Sequence, residues 1–256
     1  MDQKLIDNHC HLDFPQYDED RTEVIARNKD KLHAVVNAGS DHAANQRALE
    51  LATEYPDFIY PCIGAHPTKI DAIGNDGFEQ IKASIETHAE DIIAVGETGL
   101  DYHHDTETEK RERQETFFKD MLSIAEELDL PIVIHSRDAE KRCLELLETY
   151  ELSSVIMHCF NGNMDQVGTA VGRGYWISIS TQVLYSTRVK NIAETTPSDR
   201  IMLETDAPFL YPGEERNEPW RIHESLEAIA SIKDQDQAAL APQFNENTRN
   251  AYDTAF

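Results

Sequence analysis

Short apolar runs rich in β-branched residues alternate with segments of helical periodicity along the whole chain, and this alternation restricts the possible folds severely. The apolar runs are Lys4–Asn8, His33–Ala38, Phe58–Gly64, Ile92–Glu97, Pro131–His135, Val155–His158, Tyr175–Ser180 and Arg200–Thr205. Between them lie helical segments at Arg21–Asn28, Ala43–Thr53, Phe78–His88, Glu109–Leu128, Glu140–Tyr150, Asp165–Val171 and Thr187–Glu194, with a final pair at Ile222–Ile232 and Gln235–Ala251. Strands joined by crossover helices run parallel, and eight repeats in about 200 residues favour an α/β fold of the closed (β/α)8 TIM-barrel kind over an open doubly wound sheet. No linker or shift in composition divides the 256 residues, so one domain spanning 1–256 is expected. The stretch Tyr211–Trp220, rich in Pro, Gly and Glu, reads as an active-site loop after the last strand.

Charge narrows the function. The chain carries 48 Asp and Glu against 23 Lys and Arg, a net charge of −25. Nucleic-acid binding normally rests on Lys and Arg that neutralise phosphates, so this balance argues against a tight, sequence-reading binder. An acidic surface is also favoured by a concentrated-salt medium, which screens its self-repulsion, and composition alone does not separate that origin from ordinary acidity. Cys10, Cys62, Cys143 and Cys159 are widely spaced and form no CxxC, so reduced core thiols and a cytoplasmic location are expected. The start of the chain, MDQKLIDNHCHLDF, lacks the basic flank and apolar stretch of a signal peptide, and no window has the length and apolarity of a membrane span.

Ligand-type side chains fall at the strand ends. His9 and His11 follow the first run, His66 the third, Glu97 ends the fourth, His135 the fifth and His158 the sixth, and Asp206 follows the eighth. In a parallel barrel these ends meet on one rim, the face that carries the active site. The i, i+2 spacing of His9 and His11 turns both imidazoles to one side of the strand and Cys10 to the other. A lone strand-end His is usually structural, but the HxH pair together with Glu97, His135, His158 and Asp206 is enough for two divalent ions, Mg, Mn or Zn. Glu97, central in strand order, fits a bridging role. Two such ions activate water for hydrolysis, and Asp206 is positioned to take its proton. Glu204, two residues earlier and deeper, is expected to position Asp206 or to pack as a core acid.

Other residues at this rim suit a substrate. His66 and Arg137 are candidates for holding an anion, the guanidinium because its fork matches a phosphate, although Arg137 fits a capping role equally well. The run Asp101-Tyr102-His103-His104-Asp105 is expected to support Glu97 or to touch substrate, with Asp101 the candidate contact, and reads equally well as a polar loop. Asn161 and Gly162 read as turn residues first and phosphate contacts second. His33, His42, His88 and His223 lie on helices or strand starts and are read as surface or core residues.

The stretches D7-N-H-C-H-L-D13, G64-A-H-P67, G96-E-T-G-L-D-Y102, I134-H-S-R-D-A139, H158-C-F-N-G162, E204-T-D-A-P-F-L210 and R216-N-E-P219 resemble, in this order, the TatD family of metal-dependent deoxyribonucleases in the amidohydrolase superfamily. The resemblance covers the whole chain. It implies a TIM barrel with His9, His11, Glu97 and Asp206 at one ion, and Glu97, His135 and His158 at the other. It also implies metal-dependent hydrolysis of DNA phosphodiesters, often as a 3′-to-5′ exonuclease; some relatives resemble D-aminoacyl-tRNA deacylases, the alternative activity for the same metals. Asn161 stands where the family more often has Ser, and His103-His104 where aromatic or acidic residues are frequent. The expected substrate is a DNA end or single strand, taken by a monomer. Two divalent cations supply about four positive charges at the scissile phosphate, so a local field can oppose the global sign. The acidic surface should then weaken binding to long duplexes and favour ends.

Overall fold

A computed structural model describes residues 3–256; the first two residues of the N-terminal reading and of the 1–256 span lie outside them. Eight parallel strands hydrogen-bond in chain order: β1 (Leu5–Cys10), β2 (Leu32–Ala38), β3 (Ile59–Ile63), β4 (Ala94–Asp101), β5 (Ile132–Arg137), β6 (Val155–Met157), β7 (Trp176–Ile179) and β8 (Ile201–Leu203). Helices α1 (Arg21–Lys31), α2 (His42–Glu54), α3 (Ile70–Thr87), α4 (Thr108–Leu128), α5 (Glu140–Leu147), α6 (Met164–Gly172), α7 (Thr187–Thr195) and α8 (Ile222–Lys233) follow the strands in turn, and α9 (Gln237–Tyr252) ends the chain. The TIM barrel expected from the alternation is the fold. No helix among the described residues is long and apolar enough to cross a membrane.

Alternation along each strand separates two apolar layers. Val36, Cys62, Ala94, Val133, Ile156 and Met202 form one cluster inside the barrel, which Ala251 and Tyr252 of α9 close at one end. Their neighbours Val35, Ile63, Val95, Ile132, Ile134 and Leu203 join the larger cluster under the helices. All four cysteines are free; Cys10, Cys62 and Cys143 are buried, and Cys159 is partly exposed.

Several boundaries depart from the periodicity. Strand β4 continues four residues past Glu97, so Glu97 lies within the strand and Asp101 ends it. Polar residues there look like a strand end, but every residue of the segment is buried, Leu100 in the apolar core. A Cβ on Gly99 would overlap the carbonyl oxygen of His135, so glycine is what lets β4 lie this close to β5. Helix α3 starts eight residues early, at Ile70, with a non-helical break at Gly74 (φ 66°) that interrupts the apolar period. Asp206 lies three residues beyond β8 rather than on it.

The β8/β1 seam is completed by means a strand pattern does not display. Asp206 N–H donates to the His9 carbonyl at 3.0 Å and His11 N–H to the Ala207 carbonyl at 2.7 Å. Deeper down, side chains replace the ladder: Asp7 accepts from the Thr205 N–H, and Asn8 Nδ2 donates to the Leu203 carbonyl. On α9, Asn245 accepts from Ile6 N–H at 3.0 Å and donates to the Lys4 carbonyl at 2.9 Å, satisfying the backbone of β1.

Candidate metal centre

The two ends of the Glu97 carboxylate face different sets of imidazoles. Oε2 lies 3.4 Å from His9 Nε2 and 3.7 Å from His11 Nε2. Oε1 lies 2.7 Å from His135 Nδ1, 3.4 Å from His158 Nε2 and 3.4 Å from His66 Nε2. Asp206 Oδ1 closes the first set, 3.2 Å from His11 Nε2 and 3.9 Å from His9 Nε2. Ligands 2.0–2.2 Å from one ion stand roughly 3.0–3.5 Å from each other, so most of these spacings match neighbours around a shared cation. Seven side chains from six strands and their following loops meet here; Glu97, His9 and His158 are all but inaccessible to solvent.

The far atom of each imidazole shows which nitrogen is offered. His11 Nδ1 donates to the Ala38 carbonyl at 2.7 Å, His158 Nδ1 to Glu204 Oε2 at 2.9 Å, and His135 Nε2 to Asp101 Oδ2 at 3.2 Å. In the neutral imidazole, the form that binds a cation, each bond places the proton on the outer nitrogen and leaves the inner lone pair toward Glu97 or Asp206. His9 Nδ1 is buried without a partner among the described residues. A set of imidazole nitrogens with fixed lone pairs and two carboxylates is a donor set for Zn, Mn or a similar ion, so the residues fit a metal.

Electrostatics agree with that chemistry. Burial pushes the His11 pKa down, but the hydrogen bond and charge of Asp206 outweigh it and hold the value at about 9. His158 stands at about 10 because the charges of Glu204 and Glu97 overcome its burial, and His135 at about 8 through Asp101 and Glu97. His9 and His66 are lowered, by burial in both and then by the neighbouring charges of His158 and His135 respectively. Burial raises Glu97, but the charges of His66 and His158 prevail and hold it well below the usual range; Asp206 is lowered against its burial chiefly by His11. Negative charge sufficient to retain protons on buried imidazoles also attracts cations.

The remaining expected residues take the following places. Of the two roles expected of Glu204, it has that of a paired core acid: fully buried, it binds His158 Nδ1, the Cys159 N–H at 2.7 Å and the Ser178 hydroxyl. Asp101 supports Glu97 through His135, whose other ring nitrogen lies 2.7 Å from Glu97 Oε1. It is 1% exposed and braces His135, with Oδ1 accepting the His103 and His104 N–H groups and Oδ2 bonded to His104 Nδ1 at 2.8 Å. His66 adjoins the imidazole group at the mouth, 3.3 Å from His135 Nδ1, with 15% of its side chain exposed. Asn161 lies in the loop after β6, as expected of a turn residue, and lines a cleft at the barrel mouth, its amide donating to the Cys159 carbonyl at 2.9 Å and, across to the segment after β7, to Gln182 Oε1 at 3.0 Å. Arg137 is exposed, makes no ion pair among the described residues, and lines the same cleft, of about 420 Å³, with His135, His158 and Asp206. Arg188, on the same cleft, was not singled out from the sequence; it sits on the exposed first turn of α7, where no ligand-type pattern marks it.

A parallel eight-stranded barrel with these groups at its mouth defines the class of metal-dependent barrel hydrolases. The sequence model described as "TatD related DNase" matches residues 6–253, and the chain belongs to the TatD family. It is 34% identical to the uncharacterized metal-dependent hydrolase YabD of Bacillus subtilis, covering 97% of this chain and 98% of that one. It is 30% identical to the 3′-5′ ssDNA/RNA exonuclease TatD of Pectobacterium parmentieri, over 97% and 99%. The crystal structure of YJJV, a TatD homolog from Escherichia coli K12, superposes with a TM-score of 0.90 at 25% identity, covering 98% of each chain. The chain is thus a metal-dependent hydrolase acting on ester bonds.

Proposed function

We propose that this hydrolase removes nucleotides from DNA ends in the 3′-to-5′ direction, as a cytoplasmic monomer, with two divalent cations (Mg, Mn or Zn) held at the barrel mouth. The observation that carries the proposal is the division of Glu97: one oxygen toward His9 and His11, the other toward His135 and His158. One ion would be held by His9, His11, Glu97 and Asp206, the other by Glu97, His135 and His158. When bound, such ions polarise the phosphoryl oxygens and lower the pKa of water. Asp206 lies at the mouth with 15% of its side chain exposed, the right place for a carboxylate that takes the proton of an attacking water. Asp101 and Glu204 hold the imidazoles of His135 and His158 in one tautomer, and Arg137 faces the cleft to meet a phosphate. The relative named as an ssDNA/RNA exonuclease supports a nucleic-acid substrate.

The test is digestion of end-labelled single-stranded oligonucleotides with Mg²⁺ or Mn²⁺, with and without chelator, in low and molar salt. Stepwise, chelator-sensitive shortening from the 3′ end is expected. Release of an amino acid from aminoacyl-tRNA without nucleotide shortening would transfer the assignment to a deacylase; no chelator-sensitive hydrolysis of either substrate would overturn the site's reading.

A further inference from the structure

Two aromatic rings stand in solvent at the barrel mouth. Phe209 is 42% exposed and Tyr185 50% exposed. Phe209 lies three residues beyond Asp206, whose carbonyl accepts its N–H at 2.9 Å. Its ring meets Phe14 edge to face with centroids 5.7 Å apart, and Phe14 stacks on His11 at 4.5 Å with planes 26° apart. An unbroken series of rings therefore leads from the metal centre to the surface. Tyr185 follows β7, directly before Ser186, and its N–H donates to the Gln182 carbonyl at 3.1 Å; Ser186 and Gln182 both line the cleft onto which His158 and Asp206 open.

Guanidinium groups occupy the neighbouring cleft. Arg137 and Arg188 both line it, together with Leu210, which adjoins Phe209 in the chain. Neither arginine is ion-paired among the described residues, in a chain with 48 acidic side chains; Arg188 Nη1 donates instead to the Asn161 carbonyl at 3.1 Å. Asp138 and Glu140 share this wall, and Asp138 is paired with His103 at 3.0 Å. Exposed rings beside unpaired guanidinium groups match what an unpaired strand offers, a free π-face on each base and a phosphate on each link. Bases inside a duplex are already stacked on one another and have no such face to give.

Resting on the nuclease reading above, we propose that Phe209, backed by Phe14, and Tyr185 form a stacking platform for the bases of a single-stranded end, while Arg137 and Arg188 hold the adjoining phosphates. The platform makes hydrolysis depend on the presence of a base but not on its identity. It also explains how a chain of net charge −25 engages nucleic acid: stacking replaces most of the electrostatic attraction.

Hydrolysis by the Mn²⁺-loaded protein is compared on a single-stranded oligonucleotide and on the same strand with a single abasic residue at its 3′ end. Wild type is expected to favour the intact end by roughly 5- to 100-fold in kcat/KM, the effect of losing one stacked base. In Phe209→Leu, which keeps apolar bulk against Phe14, and in Tyr185→Leu, this ratio falls toward one, through KM; Phe209→Trp restores it. Independently of turnover, a terminal 2-aminopurine is quenched on binding to Asp206→Asn, and the quench is lost in Asp206→Asn/Phe209→Leu. Wild type cleaving both strands equally, or both leucine variants keeping the wild-type ratio, overturns the platform while leaving the nuclease reading intact. No cleavage of either strand by metal-loaded wild type overturns that reading instead; the platform then stands or falls on the quench alone.

Discussion

Replacing Glu204 with glutamine exchanges one oxygen for an amide group at a position sealed from water. The carboxylate accepts from His158 Nδ1 at 2.9 Å, from the Cys159 N–H at 2.7 Å and from the Ser178 hydroxyl. Glutamine offers one acceptor oxygen in their place. With that oxygen on the Cys159 N–H, the amide NH₂ faces His158 Nδ1, and the imidazole must carry its proton on Nε2, the nitrogen 3.4 Å from Glu97 Oε1. A protonated Nε2 has no lone pair for a cation. The opposite amide orientation rescues His158 but sets NH₂ against the Cys159 N–H, and a buried donor left unsatisfied costs about 1–3 kcal/mol. Either way, affinity for divalent cations should fall by about 10- to 100-fold, with the ion assigned to His135 and His158 lost first. Titration with Mn²⁺ followed by electron paramagnetic resonance counts the sites, and circular dichroism verifies that the variant is folded. Wild-type stoichiometry with affinity within about twofold would refute the tautomer argument, since a second-shell partner that mattered would show at least tenfold.

Three further outcomes follow from the same geometry. Asp206→Asn keeps an oxygen near His11 but cannot take a proton; turnover should fall by about 10²- to 10⁴-fold while most Mn²⁺ binding persists, and unchanged turnover would show that another group accepts the proton. Asn245→Ala removes the partners of the Ile6 N–H and the Lys4 carbonyl, so chemical denaturation should show a loss of about 2–4 kcal/mol; a change below about 0.5 kcal/mol would mean water replaces both bonds. His11, His135 and His158 have pKa values of about 9, 8 and 10, above the unfolded value of about 6.5. Their contribution is complete below about pH 6.5 and is lost as pH rises through the folded values. The chelator-treated protein should therefore melt at progressively lower temperature from about pH 6.5 to 10 in scanning calorimetry, whereas a flat or rising trend would contradict the assigned partners.

The barrel was legible because a parallel strand buried on both faces writes a continuous apolar run, and a helix on its surface writes a 3.6-residue period. Ligand-type residues were legible for a related reason: strand direction alone sends His9, Glu97, His135 and His158 to one rim. What surrounds them was not. The partner of a buried acid depends on which neighbouring strand it faces, and periodicity is silent on that; Glu204 points across to His158, just past β6, rather than forward to Asp206 on its own strand's extension. The extra length of β4 puts Asp101 two residues beyond Gly99, the residue opposite His135, and its carboxylate bonds to His135 Nε2, a contact that periodicity does not mark. The seam made by Asp7, Asn8 and Asn245 replaces backbone ladder bonds with side-chain amides and carboxylates far apart in sequence, and no local pattern encodes that. Arg188 and Tyr185 belong to the loop and helix after β7, where exposure and neighbourhood are tertiary facts.

Crystals soaked in Mn²⁺ and measured at an anomalous wavelength test the central proposition most directly. Two anomalous peaks are predicted at the barrel mouth, one among His9, His11 and Asp206, the other between His135 and His158, with one oxygen of Glu97 on each. A single peak, or peaks away from Glu97, would contradict a carboxylate-bridged pair of ions.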